Sequence, residues 1–136
     1  MGVKREKRVS TFQPQVMAGA LLILATLACN TMLPLDPNER MLQGSWAQTR
    51  DQGEGHTSYL KWTFDHGRFE VDGYPPLHQT GRYRLMKSEG STLVLQLYDQ
   101  SGDWPVDERE IEIVLNSDGQ SLTIDGEEPF QRTEAP

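Results

Sequence analysis

From Ser45 onward, apolar and polar residues alternate with a period of two, the signature of strands with one buried and one wet face. In YLKWTFD, Leu60, Trp62 and Phe64 share a face opposite Lys61 and Thr63. GRFEVDG sets Phe69 and Val71 against Arg68, Glu70 and Asp72, and GRYRLMK sets Tyr83 and Leu85 against Arg82 and Arg84. TLVLQLYD supplies Leu93, Leu95 and Leu97, and EREIEIVLN supplies Ile111, Ile113 and Leu115. SLTIDG adds Leu122 and Ile124, PFQRT closes with Phe130, and SWAQTR comes first. The pattern predicts an all-β fold, an eight-stranded antiparallel up-and-down meander forming a small barrel. Ahead of it, Asp36 and Glu39 are spaced like a capping box and Pro37 falls at a first helical position. A short helical turn is expected from about Pro37 to Leu42, stopped by Gly44.

The connections after strands two, four and six read as tight (DHG, KSEGS, NSDG), whereas those after one, three and five read as longer (DQGEGHT, GYPPLHQ, DQSGDWPVDE). In a meander, odd connections share one end and even ones the other, so a closed end and an open end are expected. The longer loops carry Tyr74, Pro75, Pro76, Leu77, Trp104 and Pro105, which makes Tyr74, Leu77 and Trp104 the candidate contacts for a ligand or partner.

The first segment has a different character. Lys4, Arg5, Lys7 and Arg8 precede an uncharged run from Val16 to Ala28, the pattern of a secretory signal peptide. That run is shorter than the roughly 20 residues a membrane-spanning helix needs. It ends in TLAC at Cys29, the one cysteine in the chain. Here the sequence resembles bacterial lipoproteins, whose lipobox puts a small residue before the cysteine that is cleaved and lipidated. Ala28 fits, while Thr26 and Leu27 depart from the preferred Leu followed by Ala or Ser. The resemblance implies lipidation at Cys29. An ordinary cut after Ala28, or an uncut signal anchor over Val16 to Leu35, are the alternatives, and all three export the residues after about 30. The organisation expected is a signal peptide over 1–28, a tether over 29–36 and a barrel domain over 37–136, with no disulfide to support it.

Residues 1–28 hold four of the 13 Lys+Arg and one of the 20 Asp+Glu, so the remainder has 9 against 19 and a net charge of −10. Such a domain repels phosphate backbones, which excludes nucleic acid as an expected partner.

LQGSW, the meander behind it and FQR near its end together resemble the lipocalins and the wider calycin group. In that family a Gly-x-Trp opens the first strand, the tryptophan plugs the closed end, and an arginine of the last strand packs across it. Gly44, Trp46 and Arg132 occupy those places. The family's second and third conserved regions are not found, and about 92 residues is short for a full lipocalin. The chain is closer to the small lipocalin-like domains of exported bacterial proteins. An eight-strand barrel is wide enough to be filled by side chains or to hold one small ligand. Seventeen large apolar residues on the inward faces favour filling, with any ligand seated shallowly at the mouth.

No chemistry stands out. His56 and His66 fall at opposite ends of strand two, roughly 30 Å apart at about 3.3 Å per residue. His56 and His78 fall on loops at one end beside Asp103, Asp107, Glu127 and Glu128, and solvated loop residues are the reading preferred over a cation site. No Gly-x-Ser-x-Gly turn, phosphate loop or EF-hand spacing occurs. The expectation is a monomeric, non-catalytic protein without cofactor or metal. It is anchored to a membrane by lipid and binds a small apolar or amphipathic molecule at the barrel mouth. The rival is a solid envelope module using the same loops on a protein partner.

Overall fold

A computed structural model describes residue 2 and residues 33–134; Cys29 and the segment read as a signal peptide lie outside the described residues. The order is α1 (Pro37–Leu42), β1 (Gly44–Gly53), β2 (His56–Asp65), β3 (Arg68–Tyr74), β4 (Leu77–Glu89), β5 (Thr92–Gly102), β6 (Arg109–Leu115), β7 (Ser121–Ile124) and β8 (Phe130–Glu134). The strands pair antiparallel in sequence order, and β8 returns to β1 to close an up-and-down barrel. Closure pairs the two outermost strands over Ser45–Ala47 of β1, so neither is left as a full free edge.

The helical turn forms where the capping residues put it. The Asp36 carboxylate accepts from the Asn38 N–H at 2.9 Å, and Pro37 begins the helix. Its C-cap is Gln43 in an extended conformation, and Gly44 (φ 109°) is already the first residue of β1. Gly44 therefore opens the strand rather than ending the helix.

The core follows the alternation. Trp46, Trp62, Phe64, Phe69, Val71, Tyr83, the three leucines of β5, Ile111, Ile113, Leu115, Leu122, Ile124 and Phe130 are buried, and Leu42 joins them from α1. Leu60 and Leu85 of the inward set pack against this core but are only partly buried. Leu60 lies beside the open mouth, and Leu85 adjoins a bulge on β4 where Met86 is the extra residue and points outward.

The loop lengths also need correction. β1–β2 turns on Glu54 and Gly55 alone, at φ 54° and 79°, and β3–β4 turns on Pro75 and Pro76. What the sequence offered as long loops are mostly strand extensions joined by two-residue turns. Gly53, Glu54 and Gly55 supply the positive φ that matches the twist of a hairpin. Residues 103–108, between β5 and β6, and residues 125–129, between β7 and β8, form the longer open-end connections among the described residues.

A second bulge sits where Gly81 of β4 faces Asp99 and Gln100 of β5, with Asp99 at φ 49°. The extra residue shifts the phase of β5, so Gln100 turns inward after Leu97. A side chain at position 81 is excluded: its Cβ would stand 2.6 Å from Phe69 Cε1.

Candidate functional site

The two ends of the barrel are chemically different. At the end of the even-numbered turns, Trp46 is fully buried and pairs in register with Arg132. The guanidinium carbon stands 4.1 Å from the indole centroid. Arg132 Nε donates to Gly119 O and Nη1 to Gln43 O, both at 2.8 Å, and Nη2 donates to Met41 O. Burial pulls its pKa below the ordinary value, yet three main-chain carbonyls receive its protons. Trp46 Nε1 donates to Leu42 O at 2.8 Å, which ties the ring to the helix.

Gln43 completes this end. Its side-chain amide donates to Tyr83 Oη at 2.9 Å and to Glu39 O at 2.8 Å, while its oxygen accepts from His66 N–H at 2.7 Å. Burial raises the Tyr83 pKa above its ordinary value, with the Gln43 hydrogen bond working the other way. Burial likewise raises that of Glu39. Among the described residues no buried side-chain polar atom at this end lacks a hydrogen-bond partner, so the end is sealed by protein rather than by a ligand.

From Tyr83 a column of aromatic rings crosses the core. Tyr83 meets Phe64 edge-on at 5.6 Å, Phe64 stacks on Trp62 at 5.7 Å, and Trp62 meets Trp104 at 5.7 Å. Trp104 is the last ring, and above it the barrel opens.

The open end holds a cavity of about 470 Å³. Trp62, Ile124 and Phe130 form its floor, Leu60, Leu77 and Trp104 its walls, and Tyr59, Tyr74 and Pro75 part of its rim. The structure thus brings the three candidate contacts together. Leu77 and Trp104 are partly buried, whereas Tyr74 is 59% exposed. Gly44, Trp46 and Arg132 lie at the opposite, sealed end.

Two cations also line the cavity. Arg50 reaches Glu127 at 2.9 Å, and its Nε lies 3.3 Å from Glu128 Oε2 without the alignment of a hydrogen bond. Arg109 stands over the Trp104 ring, 5.4 Å from its centroid.

Three glutamines hold this mouth and were not singled out in the sequence. Gln79, fully buried, accepts from the Trp104 backbone N–H at 3.0 Å. Gln100 donates to Asp107 O at 2.6 Å and Gln48 to Glu128 O at 2.6 Å. The glutamines thus fasten the 103–108 loop at two points and the β7–β8 connection at one, beside the Asp103–His78 backbone contacts and the Arg50–Glu127 pair. The signal was present in part: Gln48 is in phase with Trp46, and Gln79 with Tyr83. Gln100 was hidden by the bulge.

His56 and His66 lie at opposite ends of β2. His78 is the second residue of β4, beside Asp72 and Asp103. Compared with known proteins, the chain matches no family model, no curated protein and no solved structure.

Proposed function

We propose that this chain is an exported, non-catalytic lipoprotein, held to a membrane by lipid on Cys29, whose barrel takes one small apolar or amphipathic molecule at its open end. The observation that carries the binding half is the cavity of about 470 Å³ over Trp62, Ile124 and Phe130. Small-molecule sites have volumes of roughly 300–1,000 Å³, mostly apolar walls and a few placed polar groups. Leu60, Leu77 and Trp104 give the walls, and Arg50 and Arg109 the polar groups. An apolar body on the aromatic floor with a polar end at the rim matches that division.

The lipocalin-like reading is supported by Trp46 beneath Arg132 at one end and a cavity at the other. The anchoring half rests on the basic start, the apolar run and Cys29 in the sequence. The described chain enters the barrel through α1, whose Glu39 and Leu42 carbonyls bind Gln43 and Trp46 at the sealed end.

Incubating the full-length protein in detergent with a total lipid extract, then weighing the complex under native conditions, tests the binding half. One bound molecule per chain is expected, and a protein that retains nothing overturns it. Intact mass of membrane-extracted protein tests the anchor, and a mass without acyl chains ends that claim. A second reading, a protein-contacting envelope module, is favoured by the exposed rim residues Tyr74 and Val106, at 59% and 57%. Under it, Tyr74→Ala and Trp104→Ala reduce crosslinking to an envelope protein while the domain stays folded.

A further inference from the structure

Outside the barrel, near the mouth, three metal-ligating side chains converge on two neighbouring strands. Asp72 of β3 and His78 of β4 are direct cross-strand partners, and Glu70 is two residues back on the same face of β3. His78 Nδ1 lies 2.8 Å from Asp72 Oδ1 and 3.8 Å from Glu70 Oε1. One donor atom from each residue lies within 4.8 Å of the other two. Donors about 2.0–2.2 Å from a shared ion stand at most about 4.4 Å apart, so small side-chain rotations bring all three into range.

The geometry points to a divalent transition-metal site formed by Glu70, Asp72 and His78 on the outer face of the β3–β4 hairpin. One imidazole nitrogen with two carboxylates suits Zn²⁺, Cu²⁺ or Ni²⁺; calcium and magnesium prefer oxygen ligands alone. The ion takes the position between Nδ1 and the two carboxylates where His78 otherwise shares a proton with Asp72. That proton is released as the metal binds. Asp103 supports the arrangement from behind, its Oδ2 accepting the His78 backbone N–H at 2.8 Å. Lys61 of β2 is the cross-strand partner of Asp72 on its other side. Against Glu70, Asp72 and Asp103 it leaves the patch net negative. Three ligands leave coordination positions for water, as exposure of the site requires. The donors project from paired strands, so little backbone order has to be gained on binding.

Zn²⁺ is the probe, added to the full chain in detergent at pH 7.5 with Cys29→Ser so that no thiol competes. Calorimetry is expected to give one Zn²⁺ per chain. His78→Ala and Asp72→Asn should weaken binding at least tenfold, while His56→Ala and His66→Ala leave it unchanged. In ¹H–¹⁵N spectra of the protein with all three histidines intact, Zn²⁺ should shift the imidazole signals of His78 and spare those of His56 and His66. The spectra do not depend on any variant folding. Absence of saturable binding, full binding by a folded His78→Ala protein, or shifts confined to His56 or His66 overturns the site. So does one-to-one binding of Mg²⁺ as tight as that of Zn²⁺.

Discussion

Replacing Arg132 by alanine tests whether the sealed end is a clasp or only a tidy surface. The side chain donates to Met41 O, Gln43 O and Gly119 O and covers the Trp46 ring at 4.1 Å. Hydrogen bonds from a charged donor contribute about 1.5–3 kcal/mol when removal leaves a buried partner unpaired. Water can reach part of this site, so about 1 kcal/mol each is the fairer figure, or about 3 kcal/mol for the three. The cation–π contact adds about 1 kcal/mol, and the freed rotamers of a long side chain return about 1 kcal/mol. The net loss is about 3 kcal/mol. For a domain near 100 residues that lowers Tm by roughly 12–24 °C. Urea unfolding of the full chain, followed by tryptophan fluorescence, should show a lower midpoint with an unchanged slope. Arg132→Lys keeps the charge but not the fork of donors, and should recover about 1 kcal/mol. A double-mutant cycle with Trp46→Leu should give a coupling of about 1 kcal/mol. A loss under about 1 kcal/mol in Arg132→Ala would refute the reasoning, because the carbonyls would then be satisfied by water alone.

Gln79→Leu removes the acceptor for the Trp104 N–H and should cost about 1–3 kcal/mol; proteolysis within residues 103–108 should quicken, and unchanged cleavage would speak against the tether. Leu60→Trp puts a larger ring into the mouth cavity from a partly buried position. Uptake of an apolar fluorescent probe should fall at least tenfold while Tm moves by only a few degrees, and uptake at the original level would place the probe elsewhere. In metal-free buffer His78 should titrate above its ordinary value near 6.5, because the Asp72 hydrogen bond favours the imidazolium. Its contribution to stability is then fully present below about pH 6.5 and lost as pH rises through the raised folded value. Asp72→Asn should move the NMR titration of His78 back down, and a titration at the ordinary value in the unmodified protein would contradict the pairing.

The legible part of the fold was whatever depended on period alone. Alternation placed all eight strands, because a residue's face is fixed by its parity until something interrupts the count. The interruptions were illegible. Asp99 carries no mark that it takes φ 49° and turns Gln100 inward, since the bulge lies opposite Gly81, whose own close neighbour is Phe69 on the adjoining strand. Gly53, Glu54 and Gly55 read as a loop, because polar glycine-rich composition is shared by loops and by the tips of long hairpins. The mouth was half legible. Tyr74, Leu77 and Trp104 stood out as aromatic or apolar residues in polar surroundings. Arg50 and Arg109 looked like ordinary surface, Gln48 and Gln79 showed only as polar residues on inward parity, and three-dimensional closure shows what they face. The Glu70, Asp72 and His78 cluster was missed for a related reason. Reading His78 as a loop residue detached it from Asp72, its partner across β3 and β4.

The polar groups divide by what they fasten. At the sealed end, Gln43 and Arg132 bind the backbone of α1 and of the turns beneath it, so a change there is felt as stability. At the mouth, Gln48, Gln79 and Gln100 each bind one backbone group of a loop and leave the cavity itself lined by side chains. Those loops are held in position without being packed shut. A mouth closed by apolar contacts would bury the surface that a ligand needs. One closed by nothing would pay the ordering cost at each binding event. Part-buried hydrogen bonds from the glutamines help fix the loop backbones yet keep Trp104 at the surface of the aromatic column. The ring there is partly buried, with Trp62 behind it and Arg109 in front. A ligand of the kind proposed would therefore meet a surface already set. Strengthening α1 and the Arg132 clasp should raise stability without altering what the mouth accepts, because Met41, Gln43, Trp46, Gly119 and Arg132 do not line the mouth cavity.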